Sequence, residues 1–242
     1  MTWSIVARDP ATGAFGVAVT TCFFAVGSLC AFARSAVGAV ATQALVNPLY
    51  GNRGLRLLQD GVPAADAVRL LTEADEGRAH RQLHVIDAAG RNAAHTGADC
   101  IGWCGHMVLE GFSVAGNMLA GPAVVAETVA AYQASLHQPF AERLIRALEA
   151  GQAAGGDKRG RQSAALLIHA GEDYAELDLR VDDHPDPLVE LRRLQTVAQQ
   201  RYVHFKRCLP SRARPAGIYQ REAIEAEIAA ALAAEPGPRG AS

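Results

Sequence analysis

Thr2 is the residue of this sequence whose type and position best suit nucleophilic chemistry. After removal of Met1, its hydroxyl and its own α-amine lie on one residue, and a free α-amine has a pKa of about 7.7–8.0. That amine can accept the proton of the hydroxyl and later pass it to a leaving amine. Thr2 also opens a predicted strand, residues 4–8, which would hold it rigidly. Because many chains carry threonine after methionine, the position alone favours a non-catalytic residue.

A glycine-rich segment, residues 153–163, joins a predicted helix to a predicted buried strand. Its glycines let backbone amides face a ligand, while Asp157, Arg159 and Gln162 supply polar side chains. The segment is not a phosphate-binding loop, because Asp157 stands where the Walker A pattern requires a lysine. A helix-to-strand turn with solvated charges explains the same residues equally well.

Amide side chains interrupt several runs of small or apolar residues, notably Gln43, Asn47 and Asn117. An amide at the end of a strand can hold a carbonyl oxygen or orient an α-amine. Arg81, at the start of a predicted strand, belongs to the same class of candidate. Without other evidence, the simpler interpretation is that these side chains satisfy buried backbone groups.

The cysteines and the acidic residues do not form a recognisable metal site. Cys100, Cys104 and His106 match no standard zinc spacing and lack further ligands, so we interpret them as buried or partly buried residues. The acidic residues around His184 are explained by the capped start of a helix before Pro187. We therefore predict no metal and no cofactor.

Composition narrows the class of partner and the compartment. The 242 residues carry a formal net charge of −2 and show no basic stripe, so we predict no nucleic-acid binding. The most apolar stretch, residues 31–46, is interrupted by polar side chains, and we predict no membrane span. The N-terminal residues lack signal-peptide features, and the five cysteines are expected to be reduced, which indicates a cytoplasmic protein.

The predicted elements run in the order strands, helices, strands, helices. Strands are predicted at 4–8, 14–20, 35–43, 82–87, 92–96, 163–169 and 174–181. Helices are predicted near 50–60, 63–71, 124–132, 140–153, 187–207 and 221–234. This order favours a layered α+β fold with antiparallel sheets over a doubly wound parallel fold. We place one domain at residues 1–208, and a linker, a helix and a disordered tail at 209–242. The Ala-rich helices are compatible with a homodimer.

Taken together, several segments resemble the bacterial family called domain of unknown function 1028 (DUF1028). The most specific is Gly-Gly-Asp-Lys-Arg-Gly-Arg-Gln-Ser-Ala-Ala-Leu at residues 155–166, followed by residues 179–184. The similarity extends from Thr2 to about Leu194, and its other segments are residues 2–9, 25–27, 38–44, 50–51, 81–82, 116–119 and 141–144.

This resemblance implies an N-terminal nucleophile (Ntn) hydrolase, a four-layer αββα sandwich and cleavage of an amide or peptide-like bond. It does not imply a substrate, and our main hypothesis is an amide bond in a small molecule. On that footing the predicted catalytic residues are Thr2, Gln43 and Asn117, with the α-amine of Thr2 as base. The predicted substrate-binding residues are Arg81, Asp157, Arg159 and Gln162, with Arg159 suited to a bidentate pair with a carboxylate. The alternative is a non-catalytic protein of the same fold that holds a metabolite on residues 155–163. A structural or partner-binding role centred on the C-terminal helix is the third hypothesis.

Overall fold

The computed structural model describes residues 2–234 and shows a mixed α+β fold with two antiparallel sheets. Its strands are β1 (Thr2–Arg8), β2 (Phe15–Thr21), β3 (Ala31–Arg34), β4 (Gly38–Ala44), β5 (Arg81–Asp87), β6 (Asn92–Thr96), β7 (Trp103–Leu109), β8 (Phe112–Leu119), β9 (Ser163–His169) and β10 (Leu177–Val181). Its helices are α1 (Gly27–Cys30), α2 (Leu49–Gln59), α3 (Ala64–Glu73), α4 (Pro122–Ala134), α5 (Phe140–Ala153), α6 (Pro187–Gln200), α7 (Tyr202–Lys206) and α8 (Arg221–Ala234).

The chain divides into two compact units, one ending at Leu191 and one beginning at Arg192. The first unit contains both sheets. In the second unit α7 packs on α8, and Arg201 pairs with Glu225 at 2.6 Å. The domain boundary predicted after residue 208 stays a prediction. Within residues 2–234, no helix combines the length and the apolar character that crossing a membrane requires.

Strand β1 lies inside the larger sheet, whose strand order is β10-β9-β2-β1-β8-β7. The turn that joins β1 to β2 forms because Gly13 adopts a φ of 74° and Thr12 donates a hydrogen bond to the Asp9 carboxylate at 2.6 Å. Residues of β1 up to Ala7 are buried, and every residue of β2 is buried. The strand that opens at Thr2 is therefore held on both edges.

The smaller sheet, with strand order β3-β4-β5-β6, packs against the larger one. Strand β1 contacts β4 and β5, while β6 contacts β7, so side chains between the sheets form a shared interior. The core there includes Val6, Val17, Ala39, Ala41 and Ile86. Helices α4 and α5 contact strands of the larger sheet, and α2 and α3 contact strands of the smaller one.

Several predicted elements are confirmed, and others are wrong in their bounds. Helix 140–153, strand 163–169 and helix 221–234 agree with the structure. The helix predicted over 187–207 is interrupted, because Arg201 has a non-helical φ of −150° and separates α6 from α7. The strand predicted from 35 begins only at Gly38, since a turn with a φ of 61° at Ala36 precedes it. Strands β3, β7 and β8 and helix α1 were not predicted, and the tail predicted to be disordered lies outside the described residues.

Candidate functional site

A cavity of about 400 Å³ lies where β1 begins and where β2, β4 and β8 end. Antiparallel pairing brings these strand ends together, because Thr2 is the partner of Thr21 on one side and of Asn117 on the other. Gln43, near the end of β4, reaches the same place from the second sheet. The polar side chains lining the cavity include Thr2, Thr21, Gln43 and Asn117.

Thr2, which lines this cavity, is held by its hydroxyl and by its main-chain carbonyl. The side chain is buried, and Oγ1 donates a hydrogen bond to Oγ1 of Thr21 at 3.1 Å. The carbonyl oxygen accepts hydrogen bonds from the side-chain amide nitrogens of Gln43 and Asn117, each at 3.4 Å. The orientation of residue 2 is thus fixed by both sheets.

The two predicted amides belong to a cluster centred on Gln82, which is fully buried. Gln82 Oε1 accepts from Gln43 Nε2 at 2.7 Å and from Asn117 Nδ2 at 3.1 Å. Gln82 Nε2 lies 2.9 Å from the carbonyl oxygen of Gly116 and 3.1 Å from that of Gly105. Because a carbonyl oxygen can only accept, the nitrogen of Gln82 must face these two groups and its oxygen must face Gln43.

That orientation of Gln82 fixes the direction of the hydrogen bonds that lead away from it. Gln43 presents Nε2 to Gln82, so Gln43 Oε1 faces Ser4 and accepts its hydroxyl proton at 2.6 Å. Ser4 has then used its proton and must accept from Nε2–H of His84 at 2.8 Å. Nδ1 of His84 is left to accept from the hydroxyl of Ser113 at 2.9 Å.

This assignment requires a neutral His84 with its proton on Nε2. Complete burial is the main cause that lowers the pKa of His84 to about 3. The imidazole is therefore uncharged at physiological pH. The series Ser113, His84, Ser4, Gln43 and Gln82 forms one directional chain of hydrogen bonds that ends beside Thr2.

The glycine-rich segment contributes Arg159 to the cavity lining and holds it through Asp157. The Asp157 carboxylate is buried and accepts from the main-chain N–H of Cys22 at 2.9 Å and of Arg159 at 2.7 Å. Nη2 of Arg159 also lies 3.3 Å from Oδ2 of Asp157. Asp157 and Gln162 are not among the residues lining the cavity, and Gln162 donates to Asp183 at 3.1 Å. Asp157 therefore influences the cavity indirectly, by holding Arg159 in place.

Arg81 likewise lies outside the cavity lining and supports its wall. Its guanidinium pairs with Asp75 at 3.1 Å and donates to the carbonyl of Leu45, which lines the cavity. The hydroxyl of Tyr50 also donates to Asp75 at 2.7 Å, and this bond is the first cause of the strongly lowered pKa of Asp75. The charged carboxylate anchors Arg81 against the loop that follows β4.

Two cysteines line the cavity but are not activated as nucleophiles. Burial raises the pKa of the Cys30 thiol to about 12. Burial and the neighbouring Cys104 raise the pKa of Cys100 as well. Because a thiolate rather than a thiol is the nucleophile, these side chains stay protonated and unreactive at neutral pH. The hydroxyl of Thr2 is the better candidate for chemistry here.

Two of the four described non-glycine residues with positive φ line the cavity. Ala44 and Met118 both line it and adopt φ values of 71° and 54°, and each directly follows one of the site amides, Gln43 or Asn117. A non-glycine residue in this region costs on the order of 1–3 kcal/mol and persists where the surroundings enforce it. The N–H of Met118 bonds to Ile101 at 3.0 Å, which helps to enforce the turn. Such strain is typical of functional sites.

Sequence reasoning missed several members of the chain of hydrogen bonds. Gln82 appeared only within the segment 81–82 that resembles the family, and no role was predicted for it. Ser4, His84 and Ser113 were not predicted as site residues. A usable signal was present, since polar residues recur at every second position inside buried strands, as in Thr2 and Ser4. Two polar side chains on one face of a buried strand must find partners in the interior.

Comparisons with known proteins identify the family. The model of the "Family of unknown function (DUF1028)" matches residues 2–191, so the chain belongs to this family. The crystal structure of protein SPO2555 from Silicibacter pomeroyi, described as DUF1028, is 34% identical, with 90% of this chain and 99% of that chain covered and a TM-score of 0.84.

A more distant match is Anbu (ancestral beta-subunit) from Yersinia bercovieri, which is 13% identical with a TM-score of 0.38. That match covers 81% of this chain and 94% of the other, and a TM-score this low supports no conclusion about fold or function. Among the curated proteins, none matches the chain.

Proposed function

We propose that this member of the DUF1028 family is an Ntn-type amidohydrolase that uses Thr2 to cleave an amide bond in a small molecule. The observation that carries the proposal is the position of Thr2, in the lining of a cavity of about 400 Å³ and at the start of an interior strand. Cavities of about 300–1,000 Å³ are typical of small-molecule sites.

The proposed reaction needs Thr2 as the first residue of the mature chain. The α-amine takes the hydroxyl proton as Oγ1 attacks the carbonyl carbon of the amide. The C–N bond then breaks, the proton passes to the leaving nitrogen, and the acyl group remains as an ester on Oγ1. Water attacks this ester, with the α-amine as base, and the proton returns to Oγ1. The products are a carboxylic acid and an amine.

The remaining site residues are proposed to orient and to bind. Gln43 and Asn117 hold the main-chain carbonyl of Thr2, so they fix the direction of its α-amine and hydroxyl. Arg159, which lines the cavity, is proposed to contact substrate, with Asp157 fixing its position. Arg81 is proposed to act on the substrate site through the carbonyl of Leu45. Gln162 stays a predicted substrate ligand, and its observed partner is Asp183.

The layering of the first unit supports the same proposal. Helices α4 and α5 contact one sheet, the two sheets contact each other, and α2 and α3 contact the second sheet. We propose that these contacts amount to the αββα sandwich of Ntn hydrolases. The homodimer and the cytoplasmic location stay predictions.

The test combines the intact mass of the purified protein with an electrophilic β-lactone probe for an N-terminal threonine. We expect the mass to place Thr2 first and the probe to label it, with a rate that rises as pH passes about 7.7–8.0 and the amine loses its proton. Thr2→Ala should abolish labelling, and Thr2→Ser should retain it. Thr196→Ala, an exposed threonine of α6, is the matched control and should label normally.

A blocked Thr2 amine with no labelling would overturn the proposal. If small amides then bound without turnover, the non-catalytic metabolite-binding role would replace it. Cleavage of a small amide by wild type, lost in Thr2→Ala and kept in the Thr196→Ala control, would establish the hydrolase.

A further inference from the structure

The walls of the cavity that Thr2 lines are largely apolar. Side chains from three separate segments contribute, namely Val26 and Leu29 at α1, Val46 after β4, and Met118 in β8. Leu29 and Val46 also pack against a buried cluster that includes Val26 and Cys30. A wall anchored in the core is preformed, so a ligand would not have to order it.

Within the described residues, the charged side chains Arg159 and Asp99 of the cavity lining each lie beside an ionisable side chain of the protein. Arg159 lies 3.3 Å from the buried Asp157 carboxylate, and Nε2 of His80 lies 3.7 Å from Oδ2 of Asp99. A charge that is compensated inside the protein attracts a ligand charge less strongly. The electrostatics therefore do not require a highly charged ligand.

Three large apolar side chains stand exposed around the cavity, and each comes from a different loop. Phe23 follows β2, Leu45 follows β4, and Ile101 precedes β7, with exposed fractions of 58%, 63% and 70%. A single exposed apolar residue is ordinary, but several that border one cavity mark a binding surface. Removing these side chains from water would stabilise a bound apolar group.

We propose that the substrate is an amide that carries an apolar substituent, which lies against this wall and rim, with Ile101 as a specificity-determining residue. The proposal rests on the proposed function for its statement that the bound amide is cleaved. The size of the cavity limits the substituent to that of a small molecule. Each buried methylene should strengthen binding about fourfold until the cavity is filled.

The experiment uses two series of neutral compounds, straight-chain primary amides and N-alkylacetamides of increasing length. Wild type should show kcat/KM that rises about fourfold per methylene in at least one series. Ile101→Ser should flatten that dependence. Leu136→Ser is the matched control, because Leu136 is 55% exposed and does not line the cavity, and it should leave the dependence unchanged.

Calorimetric binding of the same compounds to Thr2→Ala separates the two proposals. Affinity that rises with chain length supports the apolar site even if wild type cleaves nothing, in which case the proposed function alone fails. Equal affinity and equal kcat/KM across both series, or loss of the dependence in Leu136→Ser, would overturn the apolar site while leaving any amide hydrolysis intact.

Discussion

Replacing Ser4 and Ser113 by alanine, one at a time, tests the assigned direction of the hydrogen bonds beside Thr2. Both serines are fully buried and both bond to His84, so the two substitutions remove the same atom from similar surroundings. They differ in what they leave behind. Ser4→Ala removes the partners of Gln43 Oε1 and of His84 Nε2–H, whereas Ser113→Ala removes only the donor to His84 Nδ1.

A buried polar group that loses its partner costs about 1–3 kcal/mol. Ser4→Ala should therefore lower the free energy of unfolding by about 2–6 kcal/mol and Ser113→Ala by about 1–3 kcal/mol, measured by urea denaturation. Ser4→Ala should also slow labelling of Thr2 by the β-lactone probe, because Gln43, which holds the carbonyl of Thr2, loses its bond to Ser4. Ser113→Ala should leave the labelling rate unchanged.

Nitrogen NMR of His84 gives an independent check on the same assignment. The wild-type spectrum should show a neutral ring with its proton on Nε2. A loss of stability in Ser113→Ala that equals or exceeds that in Ser4→Ala, or a proton on Nδ1, would refute the reasoning.

Two further predictions concern stability. Gly151→Ala should destabilise by about 1–3 kcal/mol, because the new Cβ would overlap Oγ1 of Thr128, whereas Gly121→Ala, with open space at its Cβ, should be tolerated in the same thermal unfolding assay. Arg143→Met should cost about 3–5 kcal/mol near neutral pH, because it leaves the buried Asp9 carboxylate unpaired. Burial raises the pKa of Asp9, but hydrogen bonds, including that from Arg143, outweigh burial and hold it below 3.8. The ion pair therefore contributes fully above about pH 4 and is lost at lower pH, so the difference between variant and wild type should shrink there. Equal stability of the two glycine variants, or a pH-independent effect of Arg143→Met, would contradict these expectations.

Secondary structure was predictable where the pattern is local and strong. The helix at 140–153 places its apolar residues on one face, and the strand at 163–169 is a short buried run, so sequence spacing alone locates both. Strand β7 was missed because it lies at the edge of its sheet and its residues are partly or largely exposed. Strand β7 forms because it pairs with β8, and this pairing cannot be predicted from the local sequence pattern.

The candidate site was predictable as residue types but not as an arrangement. Thr2, Gln43, Asn117 and Arg159 were chosen by chemistry, and the structure places all four in the lining of one cavity. Arg81 has the same donor chemistry as Arg159, yet it lies outside that lining. Nothing in the composition of either segment separates the two arginines, because the difference depends on which loop faces the strand ends.

The sequence by itself determined the α+β order of elements and the family to which the chain belongs, and it nominated Thr2 as the candidate nucleophile. Each of these depends on residue identity or on local periodicity. Only the tertiary structure decided that Gln43 and Asn117 bond to the carbonyl of Thr2. It also decided that Gln82 bonds to Asn117 and that His84 bonds to Ser4. The physical reason is that strand register and sheet packing arise from interactions between residues far apart in the chain, and a shift of one residue would turn every side chain to the opposite face.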